Sequence, residues 1–247
     1  MIHLKEKVIG ILGGMGPEAT VDLFRRIIQA TPAEKDQDHI RVIIDSNAKI
    51  PDRTAAIIGE GISPLPEIVK TAKNLERAGA DFIVIPCNTA HYYFEELKKS
   101  VGIPILNMVD LTAQTIRKRF PNVKKAGVIG TTGTVMAGIY NRALEKNGVK
   151  VIYPPQGLQD EVMKAIYSNI KAGRILKGKE IIADVATHLI KEGAEIIICG
   201  CTEVSLVLKS EDISVPVVDP LQVIAETAVV CARRNLEFSE DDRILTR

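Results

Sequence analysis

Residues 75–87 read LERAGADFIVIPC, and residues 189–201 read LIKEGAEIIICGC. Each segment passes from the end of an amphipathic stretch through Gly-Ala-acid into an apolar run and stops at a cysteine. Gly79 stands eight positions before Cys87, and Gly193 eight before Cys201. Ile103-Pro104-Ile105 follows the first cysteine, and Val215-Pro216-Val217 follows the second at similar spacing. Upstream, VIGILGG at 8–14 has a counterpart in AGVIGTT at 126–132. Four features in register predict an internal duplication, with one cysteine at the carboxyl end of a strand in each half.

The rest of the chain fits that unit. Short apolar, β-branched runs at 8–12, 40–44, 82–85, 126–129, 149–153, 196–198 and 215–218 read as strands covered on both faces. Helical periodicity fills 18–30, 62–78, 90–100, 111–120, 139–147, 160–172 and 178–192 between them. The alternation predicts an α/β fold of two similar lobes. Each lobe is expected to be a mainly parallel sheet flanked by helices, the two related by a pseudo-twofold with the active site between them. The first lobe is assigned 1–110 plus 217–247, the C-terminal helix returning to it, and the second lobe 111–216.

Composition narrows the function classes. Lys plus Arg is 32 against 31 Asp plus Glu, a net charge of +1 that gives no whole-chain reason to expect nucleic acid or an anionic membrane as partner. Trp is absent and aromatics are 4%, so stacking platforms for single strands are scarce. No apolar run approaches the ~18 residues that a membrane span needs, and the short run at 8–12 does not read as a signal peptide. The expected setting is cytoplasmic, where thiols stay reduced.

The repeat sorts the four cysteines. Cys87 and Cys201 align at strand ends, where open α/β sheets place ligands. Cys199 aligns with Ile85 inside a strand and reads as a core residue, as does Cys231 in the apolar helical stretch 223–232. Cys87-Asn88-Thr89 and Cys201-Thr202-Glu203 each lead into a helix. A thiol at a helix N-terminus is expected to have a lowered pKa, with Asn or Thr as cap. Two thiols on opposite sides of one cleft suit inversion at a carbon bearing hydrogen: one removes the proton and the other supplies one to the opposite face. A redox pair, a zinc site built from Cys199, Cys201 and His188, and two inert buried cysteines are the competing readings. His91 reads as a polar residue of the first helical turn rather than a base. The turn Gly13-Gly14-Met15-Gly16-Pro17 lacks a dinucleotide fingerprint. Gly173 to Lys179 spells G-x-x-x-x-G-K, but Glu180 stands where a hydroxyl is needed and no strand precedes it.

Pro86-Cys87-Asn88-Thr89-Ala90-His91 and Gly200-Cys201-Thr202-Glu203 resemble the aspartate/glutamate racemase superfamily, its aspartate racemase branch in particular. The opening 13–20, the segment Ile50-Pro51-Asp52-Arg53-Thr54 and the segment Ile170-Lys171-Ala172-Gly173 share the resemblance, which covers nearly the whole chain. It implies racemisation of an acidic amino acid, most simply aspartate, without pyridoxal phosphate, other cofactor or metal, by a homodimeric enzyme. Cys87 and Cys201 become the acid–base pair. Asn88, Thr89 and Thr202 become the residues holding the α-amino and α-carboxylate groups, with Glu203 also in the binding set. Arg53 and Lys171 become carboxylate readers, and Met15 and Thr131 part of the cleft floor. A maleate isomerase or hydantoin racemase on the same scaffold, and a non-catalytic amino-acid binding protein, are the alternatives.

Overall fold

A computed structural model describes residues 6–234. Among the described residues seven strands form two parallel sheets: β1 (Ile9–Gly13), β2 (Val42–Ser46) and β3 (Phe82–Val84) in the first, and β4 (Lys125–Ile129), β5 (Lys150–Ile152), β6 (Ile196–Cys199) and β7 (Val217–Val218) in the second. Their orders are β2-β1-β3 and β5-β4-β6-β7. Ile105 adds a single parallel bridge to Ile83, in the place that β7 takes beside β6. Both halves therefore share one strand order, and the expected α/β architecture of two helix-flanked parallel sheets is present.

The hydrogen bonds repeat as well. Ile83 N–H donates to Pro104 O at 2.8 Å, and Ile197 N–H to Pro216 O at 3.0 Å. Gly79 and Gly193 close the helices before β3 and β6 at φ +92° and +94°. That left-handed conformation is cheap only for glycine, which is why the Gly-Ala-acid step recurs. It lets Ala80 N–H reach Leu75 O and Ala194 N–H reach Leu189 O before each chain turns into its strand.

Two compact units result. Among the described residues the first comprises 6–52, 62–108 and 221–234, and the second 53–61 and 109–220. In the first, β1 and β3 are fully buried and flanked by the helices Pro17–Ala30 and Leu65–Arg77. The helix Pro220–Arg233 is tied to this unit by Lys7 N–H to Ala232 O at 3.1 Å and Arg26 to Gln222 Oε1 at 3.1 Å. In the second, one apolar cluster gathers Val162, Ile166, Ile182, Leu189 and Ile197, and another gathers Ile116, Val128, Tyr140, Leu144 and Ile196.

Three expectations need correction. β2 is an edge strand with a half-buried pattern and Ile44 40% exposed, because only β1 pairs with it. The stretch 90–100 is not one helix but a 3-10 segment, Thr89–Tyr93, followed by the short helix Phe94–Lys98. Residues 53–61, assigned to the first lobe, group with the second unit: the helix Arg53–Ile57 packs on the helix Thr132–Ala137, and Ile57 joins the second unit's core. The return to the first unit likewise falls after Pro220 rather than at 217.

Candidate active site

The first unit carries Met15, Cys87, Asn88 and Thr89. Adjacent strands β1 and β3 run parallel, so the turn at 13–16 and the segment 86–89 leave the same sheet edge. Gly14 sits at φ +92°, and a Cβ there would come within 2.2 Å of the Asn47 backbone. Its N–H donates to Thr20 Oγ1 at 2.9 Å, which anchors the turn. Met15, Cys87, Asn88 and Thr89 are all buried.

His91 fixes the backbone at Cys87. Met108 N–H donates to Nε2 at 3.1 Å, which leaves the ring proton on Nδ1, 2.8 Å from the Cys87 carbonyl that accepts it. Burial pulls the His91 pKa down from 6.5 to about 4, against the opposing pull of its backbone hydrogen bonds. The ring is thus a neutral clamp, and its role is structural. A depressed pKa means that the unfolded chain takes up a proton below pH 6.5 that the folded chain refuses until about pH 4. Stability is therefore complete above 6.5 and falls through that window, by about 2 kcal/mol between pH 7 and pH 5. Urea midpoints at the two pH values should show this loss in the wild type and little of it in His91→Gln; an equal loss in both would contradict the assignment.

The second unit carries Arg53, Thr131, Lys171, Cys201, Thr202 and Glu203. Hydrogen bonds link the segments that hold them. Thr54, next to Arg53, donates to Thr131 Oγ1 at 3.1 Å. Thr131 caps the helix Thr132–Ala137 by accepting from Thr134 N–H at 3.3 Å. Thr134 Oγ1 donates to Gly200 O at 3.4 Å, one residue before Cys201. Gly130 makes that approach possible, since a Cβ there would lie 2.7 Å from Gly200 O. Gln159 Nε2 donates to Gly130 O at 3.0 Å and steadies the same turn, a role with no signal in the sequence.

Lys171 is linked to Cys201 through Glu203. It follows a wide-turn π-helical segment, Lys164–Ile170, and its N–H bonds back to Ile166 O at 3.0 Å, five residues earlier. Such turns are rare and concentrate at functional sites. Lys171 Nζ lies 2.5 Å from Glu203 Oε1 and 5.8 Å from the centroid of the Tyr167 ring. Glu203 Oε2 accepts from the Cys201 thiol at 2.9 Å. Burial raises the Glu203 pKa, but Lys171 and the Cys201 hydrogen bond outweigh it and leave the group below its ordinary value.

The expectation of lowered thiol pKa values is overturned at Cys201. Cys201 does precede the helix Thr202–Val207, but that helix is only six residues long and no side chain caps it. Burial pushes the thiol well up, and the Glu203 charge and hydrogen bond push the same way; the backbone and Lys171 only oppose them. Asn88 does not act as a side-chain cap either, since it lies in helical conformation ahead of a 3-10 turn.

None of the four cysteines is in a disulfide, and all four are buried. Cys199 lies in β6 within the core, and Cys231 is fully buried in the helix Pro220–Arg233, its pKa pushed up to about 12 by burial. The G-x-x-x-x-G-K stretch follows the π-helical segment, with Gly178 packed on Ile170 and Lys179 ion-paired to Asp212 at 2.6 Å. No cluster of three or more His, Cys, Asp or Glu able to hold a metal occurs among the described residues. No described helix is long and apolar enough to cross a membrane.

With this geometry in place, comparison with known proteins assigns the class. Residues 12–228 match the Asp/Glu/Hydantoin racemase family, and the chain belongs to that family. It is an amino-acid racemase, an isomerase. The chain is 30% identical over 226 residues to the broad specificity amino-acid racemase RacX of Bacillus subtilis (strain 168), covering 90% of this chain and 96% of that one. Among solved structures it resembles Picrophilus torridus aspartate racemase, with TM-score 0.82, 32% identity and coverage of 97% and 96% of the two chains. It also resembles an aspartate racemase homologue from Pyrococcus horikoshii OT3, with TM-score 0.74, 30% identity and coverage of 92% and 99%.

Proposed function

We propose that the protein interconverts L- and D-aspartate, with Cys87 and Cys201 as the acid–base pair. The observation that carries this reading is the equivalence of the two cysteines: each closely follows the strand, β3 or β6, that holds the same place in a similarly ordered sheet, within the same helix–glycine–strand unit. Stereochemical inversion needs one group on each face of the α-carbon, and a duplicated fold with one thiol per copy supplies two. One thiolate takes the α-hydrogen as a proton, and the other thiol delivers its own to the opposite face; the reverse reaction exchanges their roles. Asn88, Thr89 and Thr202 hold the α-amino and α-carboxylate groups in this scheme, and Met15 and Thr131 shape the floor.

Lys171 and Arg53 read carboxylates. Lys171 already accommodates one, that of Glu203, in a partly buried contact, and Arg53 offers a planar fork suited to two carboxylate oxygens. The likeness to an aspartate racemase favours aspartate, and the RacX relative supports a tolerance for other amino acids. A homodimer and a cytoplasmic setting belong to the same reading, open to sedimentation and cell fractionation. Chiral chromatography over a panel of amino acids tests the substrate assignment. Aspartate should turn over with the highest kcat/KM; a neutral amino acid ahead of it, or maleate consumed with aspartate untouched, would overturn it.

A further inference from the structure

Cys87 and Cys201 are matched in exposure, at 6% and 7%, but not in their surroundings. The Cys201 sulfur faces a carboxylate at 2.9 Å, whose other oxygen is held by Lys171 at 2.5 Å. Thr202 Oγ1 adds a contact to the same carboxylate at 3.3 Å. In the register of the repeat, the place of Glu203 is taken by Thr89, a neutral residue. Around Cys87 the backbone is what is gripped: its N–H donates to Ile85 O at 2.9 Å, and its carbonyl accepts from His91. The duplication thus places the two thiols at like positions in the repeat, and among the described residues the hydrogen bond from a thiol to a carboxylate is made at Cys201.

An ionised carboxylate accepts hydrogen bonds and cannot donate them, so the hydrogen in the Cys201–Glu203 contact sits on sulfur. We infer that Glu203, clamped by Lys171, pins the proton on Cys201 in the substrate-free protein, so that Cys201 enters the first turnover as the proton donor and Cys87 as the base. This rests on the racemase reading above. In that turnover the Cys87 thiolate takes the α-hydrogen as a proton: the C–H bond breaks, an S–H bond forms, and the electron pair left on carbon spreads into the α-carboxylate. The Cys201 S–H bond then breaks, and its proton passes to the opposite face of the same carbon. The protein is left with a Cys87 thiol and a Cys201 thiolate, and proton exchange of both with water restores the starting form.

Glu203 and Lys171 are positioning residues in this scheme. They act through the Cys201 proton and not on the reacting carbon. The bias cannot appear in steady-state kcat/KM, because two enantiomers of equal free energy must have equal values. It appears in the first turnover and in the reactivity of the free thiol. Iodoacetamide labelling of the substrate-free protein, read for each cysteine by peptide mass spectrometry, reports the thiolate. Glu203→Gln should speed labelling at Cys201 about tenfold or more, while Glu203→Asp, which keeps the charge, stays close to the wild type. Gln is the closer match in shape, so an effect of loosened packing would be larger in the Asp variant instead.

Rapid mixing with protein in excess should show one aspartate enantiomer inverting faster than the other in the first turnover, with the two rates converging in Glu203→Gln. Unchanged Cys201 labelling in Glu203→Gln, faster labelling in Glu203→Asp than in Glu203→Gln, or equal first turnovers in the wild type would overturn the inference. Racemisation without these effects removes the inference and leaves the racemase reading standing. The labelling effect in a protein that never inverts aspartate supports the pinned proton and removes the aspartate reading.

Discussion

Cys87→Ser is expected to lower the rate of racemisation by about a thousandfold or more, and Cys201→Ser to do the same. A positioned acid or base contributes roughly 10²–10⁴-fold, and inversion uses one of each. A serine hydroxyl keeps the shape of the side chain but is a far weaker acid than a thiol of pKa ~8.5, so it neither gives up nor takes the proton at neutral pH. The equal free energies of the enantiomers require the loss in kcat/KM to be the same in both directions for each variant. The two variants should nevertheless differ in what they retain. A protein with one working thiol can still remove and return a proton on a single face, so each variant should exchange the α-hydrogen of one enantiomer without inverting it. The enantiomer should be opposite in the two. Chiral separation coupled to mass spectrometry in deuterated water reads both outcomes, and urea unfolding checks that folding is intact. Racemisation within tenfold of the wild type in either variant would remove that cysteine from the pair.

The second large effect is expected at the basic residues. Lys171→Gln should cost aspartate turnover about 30-fold in kcat/KM, the low end of the 2–5 kcal/mol that truncating one partner of a hydrogen-bonded charge pair costs, since this pair is only partly buried. Two causes combine here. The substrate carboxylate loses its cation, and Glu203, buried beside Cys201, loses the contact that offsets its desolvation. The double variant Lys171→Gln/Glu203→Gln separates them. If the uncompensated Glu203 charge dominates, the double variant recovers activity relative to Lys171→Gln; if substrate recognition dominates, it does not. Arg53→Lys should lower kcat/KM for aspartate about tenfold to a hundredfold, since an ammonium cannot replace a bidentate fork. Alanine, with one carboxylate fewer, should be affected less by Lys171→Gln than aspartate is. Equal losses for both amino acids would show that Lys171 serves the protein and not the side chain of the substrate.

Much of the fold was legible in the sequence for a physical reason. The strands that matter are buried parallel strands, and continuous apolar runs such as 82–85 and 196–198 announce them. Gly79 and Gly193 announce the helix ends because no other residue takes φ near +90° at comparable cost. Strand-end cysteines follow directly from that register. What the sequence did not reveal depends on contacts between residues distant along the chain. Lys171 and Glu203 are 32 residues apart, and neither spacing nor periodicity brings them together. Without that contact, proximity to a helix N-terminus suggested a more acidic Cys201, whereas burial and a neighbouring carboxylate make it less acidic. The segment 53–61 gave a related difficulty. Its grouping with the second unit comes from the Thr54–Thr131 hydrogen bond and from Ile57 in the core, pairings separated by dozens of residues. His91 was recognisable as polar, but its two backbone partners were not, because one lies just ahead of a 3-10 turn and the other 17 residues on.

In the proposed reaction, inversion proceeds by proton removal and delivery at the α-carbon through Cys87 and Cys201. Incubation of the wild-type protein with L-aspartate in deuterated water tests it most directly, with the product resolved by chirality and mass at early times. D-aspartate should carry one deuterium at the α-carbon from its first appearance, and no such product should come from the double variant Cys87→Ser/Cys201→Ser. D-aspartate formed without α-deuterium, or formed equally well by the double variant, would contradict it.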